Sequence, residues 1–226
     1  MRKLIRFLSI LIIISIAFSS QSMAGKKPFR GIITYKISYP ESEFDAQTMS
    51  MLPKVAIVMI KGDMLKTSIT TGAGEQTMIT DGKNKTNITL IDAMGQKFAL
   101  RSSFEENEEE MNKYETTVEE TGETKEIAGY DCEKVIIHLK NKETQDENDI
   151  TVYYTDKFDV GNIYSDKAMF EKIDGLMLQY ELNTQGMKMV FTATDVKKKK
   201  VSDDEFVIPE GYEETTREEL QRNFGG

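Results

Sequence analysis

Period-two alternation of apolar and polar residues runs through most of this chain. In Gly31–Tyr39, Ile33, Tyr35, Ile37 and Tyr39 fall on one face and Ile32, Thr34, Lys36 and Ser38 on the other, the pattern of a strand buried on one side. Val55 to Ile60 is apolar at every position, which predicts either a central strand or a strand under a cover. Lys61-Gly62-Asp63 reads as a turn that lets Met64 to Thr70 return antiparallel. Gln76–Thr80, Thr86–Ile91 and Gln96–Leu100 follow, punctuated by Asp81-Gly82 and Met94-Gly95. Thr124–Ala128, Glu133–Leu139, Ile150–Tyr154, Leu176–Leu182 and Met187–Thr194 continue the series.

Helical spacing is rarer. Glu43–Leu52 places Phe44, Thr48, Met51 and Leu52 together, and Pro53 stops the pattern. Ser165–Ile173 does the same with Ala168, Met169 and Ile173, and Gly175 lies beyond its end. Thr216-Arg217-Glu218-Glu219 is a capping-box pattern before Leu220. About ten strands and two or three short helices predict a mainly β fold, because an antiparallel sheet must cover its apolar face. The expected form is one curved antiparallel sheet, an open half-barrel with the helices lying over its concave face. It takes residues 25–226 as a single domain that ends in a short C-terminal helix.

The first residues are of another kind. Arg2, Lys3 and Arg6 flank the start of a nearly continuous apolar run, Phe7 to Phe18, and Ser22-Met23-Ala24 offers small residues to a peptidase. This is the three-part pattern of a signal peptide, residues 1–24, cleaved after Ala24. The run is shorter than the roughly 20 apolar residues of a membrane span. The mature chain is therefore expected in the periplasm or outside a bacterial cell, without a transmembrane anchor.

Composition narrows the chemistry. Among 226 residues, 29 are Lys or Arg and 38 are Asp or Glu, for a net charge of -9. That balance argues against nucleic acid as a partner, since phosphate neutralisation needs clustered cations. A single Cys allows no internal disulfide and no Cys-based zinc cage, and a single His excludes multi-His metal sites and most His-dependent triads. Cys132 reads as a small buried hydrophobe, and His138, out of phase with Val135, Ile137 and Leu139, as a side chain on the wetter face. The acidic run Glu105 to Glu110 lacks the spacing of a calcium loop and reads as solvated. No motif sets a nucleophile, a base and an oxyanion donor together. The expectation is a protein that is not an enzyme, with no catalytic residues, no cofactor and no metal.

Thirteen methionines either fill gaps in an ordinary core or line a cavity that adapts to apolar ligands. If the first helix lies in the mouth of the curved sheet, three apolar groups converge there. These are Phe44, Met51 and Leu52 on the helix, Val55, Ile57 and Met59 on the next strand, and Leu178, Tyr180 and Leu182 on a later one. The function expected is a monomeric periplasmic binder or carrier of a lipid or a lipoprotein acyl chain. The alternative is an interaction or scaffold protein of the envelope whose core is filled by its own side chains.

Three segments carry a family resemblance. Glu126–Lys134, EIAGYDCEK, is similar to an "I-A-G-Y-x-C-x-K" motif, and Phe206–Tyr212, FVIPEGY, to a closing "F-x-I-P-x-G-Y". Ile173–Leu178 is similar to a "G-x-P-L" turn, with Leu176 and Met177 standing at its Pro-Leu pair. Gly31–Tyr39 and Ile60–Asp63 also look like the start of the same family. Over about residues 29 to 213 the chain resembles an uncharacterised secreted family of Bacteroidetes-type bacteria, a domain of unknown function. That family is similar to the lipoprotein-localisation (LolA/LolB-like) superfamily, which implies an incomplete antiparallel barrel closed by helices and an acyl-chain cargo. No recognition residue of that superfamily has a counterpart motif in this chain.

Overall fold

A computed structural model describes residues 26–40, 44–72, 74–93, 95–105, 112–164, 168–170, 172–184, 187–216, 219 and 222. The leader and all of the acidic run except Glu105 lie outside the described residues, as does most of the expected C-terminal helix. The strands are β1 (Lys27–Pro28), β2 (Arg30–Ser38), β3 (Val55–Lys61), β4 (Met64–Thr71), β5 (Gly74–Asp81), β6 (Thr86–Ala93) and β7 (Gln96–Ser103). There follow β8 (Tyr114–Ile127), β9 (Tyr130–Asn141), β10 (Glu147–Thr155), β11 (Phe158–Asp159), β12 (Leu176–Thr184), β13 (Met187–Lys198) and β14 (Glu213–Thr215). Helix α1 spans Ala46–Met51, and 3-10 turns span Ala168–Phe170 and Asp203–Phe206.

Twelve strands make one curved, open sheet in the order β14-β7-β6-β5-β4-β3-β2-β13-β12-β10-β9-β8. It is antiparallel except where β14 joins β7, and the short β1 pairs in parallel with β11 as a separate ribbon. The expected half-barrel is present, with more strands than the alternation alone distinguished. The hairpin turns have local causes. Ala128 and Gly129 both take positive φ, 50° and 81°, which gives the tight β8–β9 reversal the conformation that two-residue hairpins require. Asp81 accepts hydrogen bonds from the amides of Lys83 and Asn84, an Asx turn that closes β5 onto β6.

Directly paired residues share a sheet face, so the register sorts the side chains. Ile33 on β2 faces Val58 on β3, and Tyr35 faces Ala56. These four are buried in the main core with Phe29, Ile60, Leu65 and Phe191. This is the inner face of the sheet. Its cover is not the first helix. Phe158, Val160 and Ile163 from the chain after β10 pack into that core, and Phe170 and Ile173 pack on Val135, Ile137 and Val152. Helix α1 buries none of its side chains. Asp45 caps it by accepting from the Thr48 amide at 2.7 Å, and the Met51 carbonyl accepts from the Gly72 amide. It is shorter than the pattern promised, because the Asp45 cap starts it beyond Phe44, which stays exposed.

The outer face has a cover of its own. Ile79, Leu90 and Ala99 pack against Val201 and Phe206, with Met59, Met64 and Tyr212 around them. Lys61 bonds Asp203 and Lys66 pairs with Glu205, so two ion pairs fasten the 203–206 turn across β3 and β4. Beyond β14, Thr216 and Glu219 form the reciprocal cap expected from their spacing. The Thr216 amide donates to the Glu219 carboxylate, and the Glu219 amide to the Thr216 hydroxyl.

Candidate apolar site

The inner face encloses a cavity of about 150 Å³ between the sheet and the chain that crosses it. Val58 and Ile60 of β3, Leu65 and Ile69 of β4, and Met78 of β5 form one wall, and Tyr180, Leu182 and Phe191 of β12 and β13 form another. Tyr164 and Phe170 close it from above. The aromatic rings set its shape. Tyr180 stacks on Phe191 with centroids 4.8 Å apart and meets Tyr35 and Phe170 edge-on at 5.7 and 6.0 Å, the separations at which ring quadrupoles attract.

The polar tips of two of these rings are engaged in the wall itself. The register of β12 on β10 slips between Tyr153 and Tyr154, and a bulge leaves backbone groups outside the ladder. Just there, the Tyr35 hydroxyl donates to the Met177 carbonyl at 2.7 Å, and the Met177 amide donates to the Tyr164 hydroxyl at 3.1 Å. Burial pushes the phenols of Tyr35, Tyr164 and Tyr180 above their ordinary value, so all three stay neutral and add no charge to the cavity. Thr67 is the one aliphatic hydroxyl in the wall among the described residues.

The nine residues expected to converge do not all meet here. Tyr180 and Leu182 line the cavity, and Leu178 is fully buried in the core beside it. Val55 and Ile57 point the other way. They are 46% and 40% exposed on the outer face and, with Leu52, line a separate groove of about 490 Å³ beside α1. Met59 shares their face and packs under the C-terminal segment. Phe44 and Met51 are exposed, Met51 by 59%. The reason is the phase of β3. A strand apolar on both faces gives no alternation to follow, and the inner set proves to be Ala56, Val58 and Ile60. The signal that could have found them is the Ile33–Tyr35–Ile37 face of β2, once β3 is registered against it.

Two residues singled out for other reasons behave as expected. Cys132 is buried, and burial pushes its thiol up to about 11. His138 bridges two carboxylates on neighbouring strands, with Nδ1 2.7 Å from Asp149 and Nε2 3.1 Å from Glu119. Among the described residues no group of three or more His, Cys, Asp or Glu is placed to hold a metal ion, and no helix is long and apolar enough to cross a membrane.

The fold and the site thus define a class: an open, single-sheet β protein with an apolar inner face. Residues 29–212 match the family described as Domain of unknown function (DUF4412), and the chain belongs to that family. No curated protein matches it. Among solved structures it is similar to the hypothetical lipoprotein YmcC from Escherichia coli (K12), at 10% identity and a TM-score of 0.35, over 73% of this chain and 84% of that one. It is also similar to LprF from Mycobacterium bovis, at 9% identity and a TM-score of 0.35, over 80% of this chain and 90% of that one.

Proposed function

We propose that this protein is an exported, non-enzymatic binder that shelters an apolar group on the inner face of its sheet, an acyl chain of a lipid or lipoprotein being the ligand class. The cavity carries this reading. Its walls are almost wholly aliphatic and aromatic, and the Tyr35 and Tyr164 hydroxyls are spent on the Met177 backbone. An apolar group entering it gains about 0.8 kcal/mol for each methylene taken out of water. The basic and apolar leader supports export to the periplasm or exterior.

Filling the cavity tests the idea. Native protein should raise the fluorescence of anilinonaphthalenesulfonate and retain lipid in native mass spectrometry after purification from its host. Val58→Trp should lose both while keeping the native circular-dichroism spectrum. Undiminished binding by a folded Val58→Trp protein would count against the site.

One observation favours the rival reading, an envelope scaffold with a self-filled core. At about 150 Å³ the cavity holds a benzene-sized group and falls below the roughly 300–1,000 Å³ of small-molecule pockets. A persistently empty protein that co-purifies with a polypeptide would support the scaffold.

A further inference from the structure

The cavity does not stand alone on the inner face. Val58, Thr67 and Met78 in its wall form one cross-strand row, each paired with the next. The row runs on: Met78 pairs with Thr89, Thr89 with Leu100, and Leu100 with Thr215 of β14. Thr89, Leu100 and Thr215 line a second pocket, of about 690 Å³, at the β7–β14 edge. Met78 is thus the last residue of one space and the direct neighbour of the first residue of the other. The Met78, Thr89 and Leu100 side chains are half-buried, unlike their alternates Ile79 and Leu90, which are packed away on the outer face; Ala99 and Arg101, of the outer phase, join them in lining the edge pocket.

Polarity changes along this row. The far wall is aromatic at Tyr180 and Phe170, the middle is Met78, and the edge offers Ser102 and Thr215. Charges at the edge are matched in pairs: Arg101 holds Glu214 with Nε at 3.0 Å, and Arg222 approaches Glu219 at 3.9 Å. Four strand steps of about 4.8 Å separate β3 from β7, roughly 19 Å, the reach of a long-chain acyl group.

We propose that the cavity and the edge pocket are two ends of one trough. It takes a long-chain acyl group across the strands, tail against Tyr180 and Phe170 and polar head at Ser102 and Thr215. This rests on the binding reading above and names the dimension that reading leaves open. A cavity that is too small by itself becomes the blind end of a longer site.

Chain length is the test. Full-length protein loaded with anilinonaphthalenesulfonate is titrated with octanoate, dodecanoate and hexadecanoate, and with lysophosphatidylcholines carrying the same chains. Each methylene that leaves water is worth about fourfold in affinity, so affinity climbs through the series to the longest chain. Leu100→Trp fills the edge half alone. It should cut hexadecanoate affinity by about tenfold or more, equivalent to two buried methylenes, and leave octanoate unchanged. A climb in only one of the two series supports the trough and assigns the acyl source. Equal affinity for octanoate and hexadecanoate overturns the trough and leaves the cavity standing as a binder. No displacement by any chain overturns the binding reading itself. The series on unsubstituted protein decides the matter even if Leu100→Trp fails to fold.

Discussion

The hydroxyl of Tyr35 on β2 donates to the carbonyl of Met177 on β12, 142 residues away, at 2.7 Å. The bond passes over β13, which lies between those strands, and it satisfies a buried carbonyl at an irregular point of the ladder. Tyr35→Phe keeps the ring and leaves that carbonyl without its donor. The expected loss is about 1–3 kcal/mol of unfolding free energy, read as a lower urea midpoint at unchanged slope. Alkali should act on the same group. Burial raises the Tyr35 phenol well above its ordinary 10.0, so its contribution is complete below pH 10 and is lost as pH rises above it, where the unfolded chain releases the proton and the folded one does not. Urea midpoints should fall above pH 10, and less steeply in Tyr35→Phe.

His138 gives the opposite end of the pH scale. Hydrogen bonding to Asp149 first, then to Glu119, raises its imidazole above the ordinary 6.5. The stabilisation is therefore complete below pH 6.5 and disappears as pH rises through the higher folded value. As the sole histidine in the chain, it gives one imidazole resonance pair, and a proton NMR titration should place its midpoint above 6.5. Asp149→Asn should move that midpoint down further than Glu119→Gln does.

Cys132 should be silent in the native protein. It is fully buried, and its thiol, pushed up to about 11 by burial, is almost wholly protonated at neutral pH, whereas the thiolate is the species that reacts. Iodoacetamide at pH 8 should label it at the rate of unfolding, and within minutes in denaturant. Rapid labelling of the folded chain would contradict the packing around β9.

Met51→Asp separates the two faces of the sheet. Met51 is exposed on α1, beside the outer groove and away from the inner cavity. The change should alter stability by less than about 0.5 kcal/mol and leave anilinonaphthalenesulfonate binding intact. Weakened binding would return the helix to the mouth of the site.

What could be read in the sequence follows how each residue is specified. The Ile33–Tyr35–Ile37 face of β2 was legible because Thr34, Lys36 and Ser38 alternate with it as polar residues. The Thr216–Glu219 cap was legible because its spacing is its mechanism. The inner set on β3 was not, since Val55 to Ile60 offers apolar groups in both phases and only pairing to β2 chooses between them. Likewise nothing local announces that β14 joins β7 in parallel or that Phe206 covers Leu90. These are choices of the whole chain. The aromatic site suffered from both limits: Tyr180 and Leu182 were found by alternation, while Phe170 comes from a stretch whose period signalled a helix and Tyr164 from just before it, where no pattern marked it.

The middle of the sheet joins segments far apart in the chain, with Gly31 beside Lys198 and Ser38 beside Val190. During synthesis β2 can pair with β3 early, but its other edge waits until residue 198 has left the ribosome. Until then the growing chain holds two incomplete half-sheets, β2–β7 on one side and β8, β9, β10 and β12 on the other, with no strand between them. Contacts this distant in sequence form slowly, so the β2–β13 seam is expected to close late in folding. The central seam, and with it the inner face, is complete only once β13 is in place between β2 and β12.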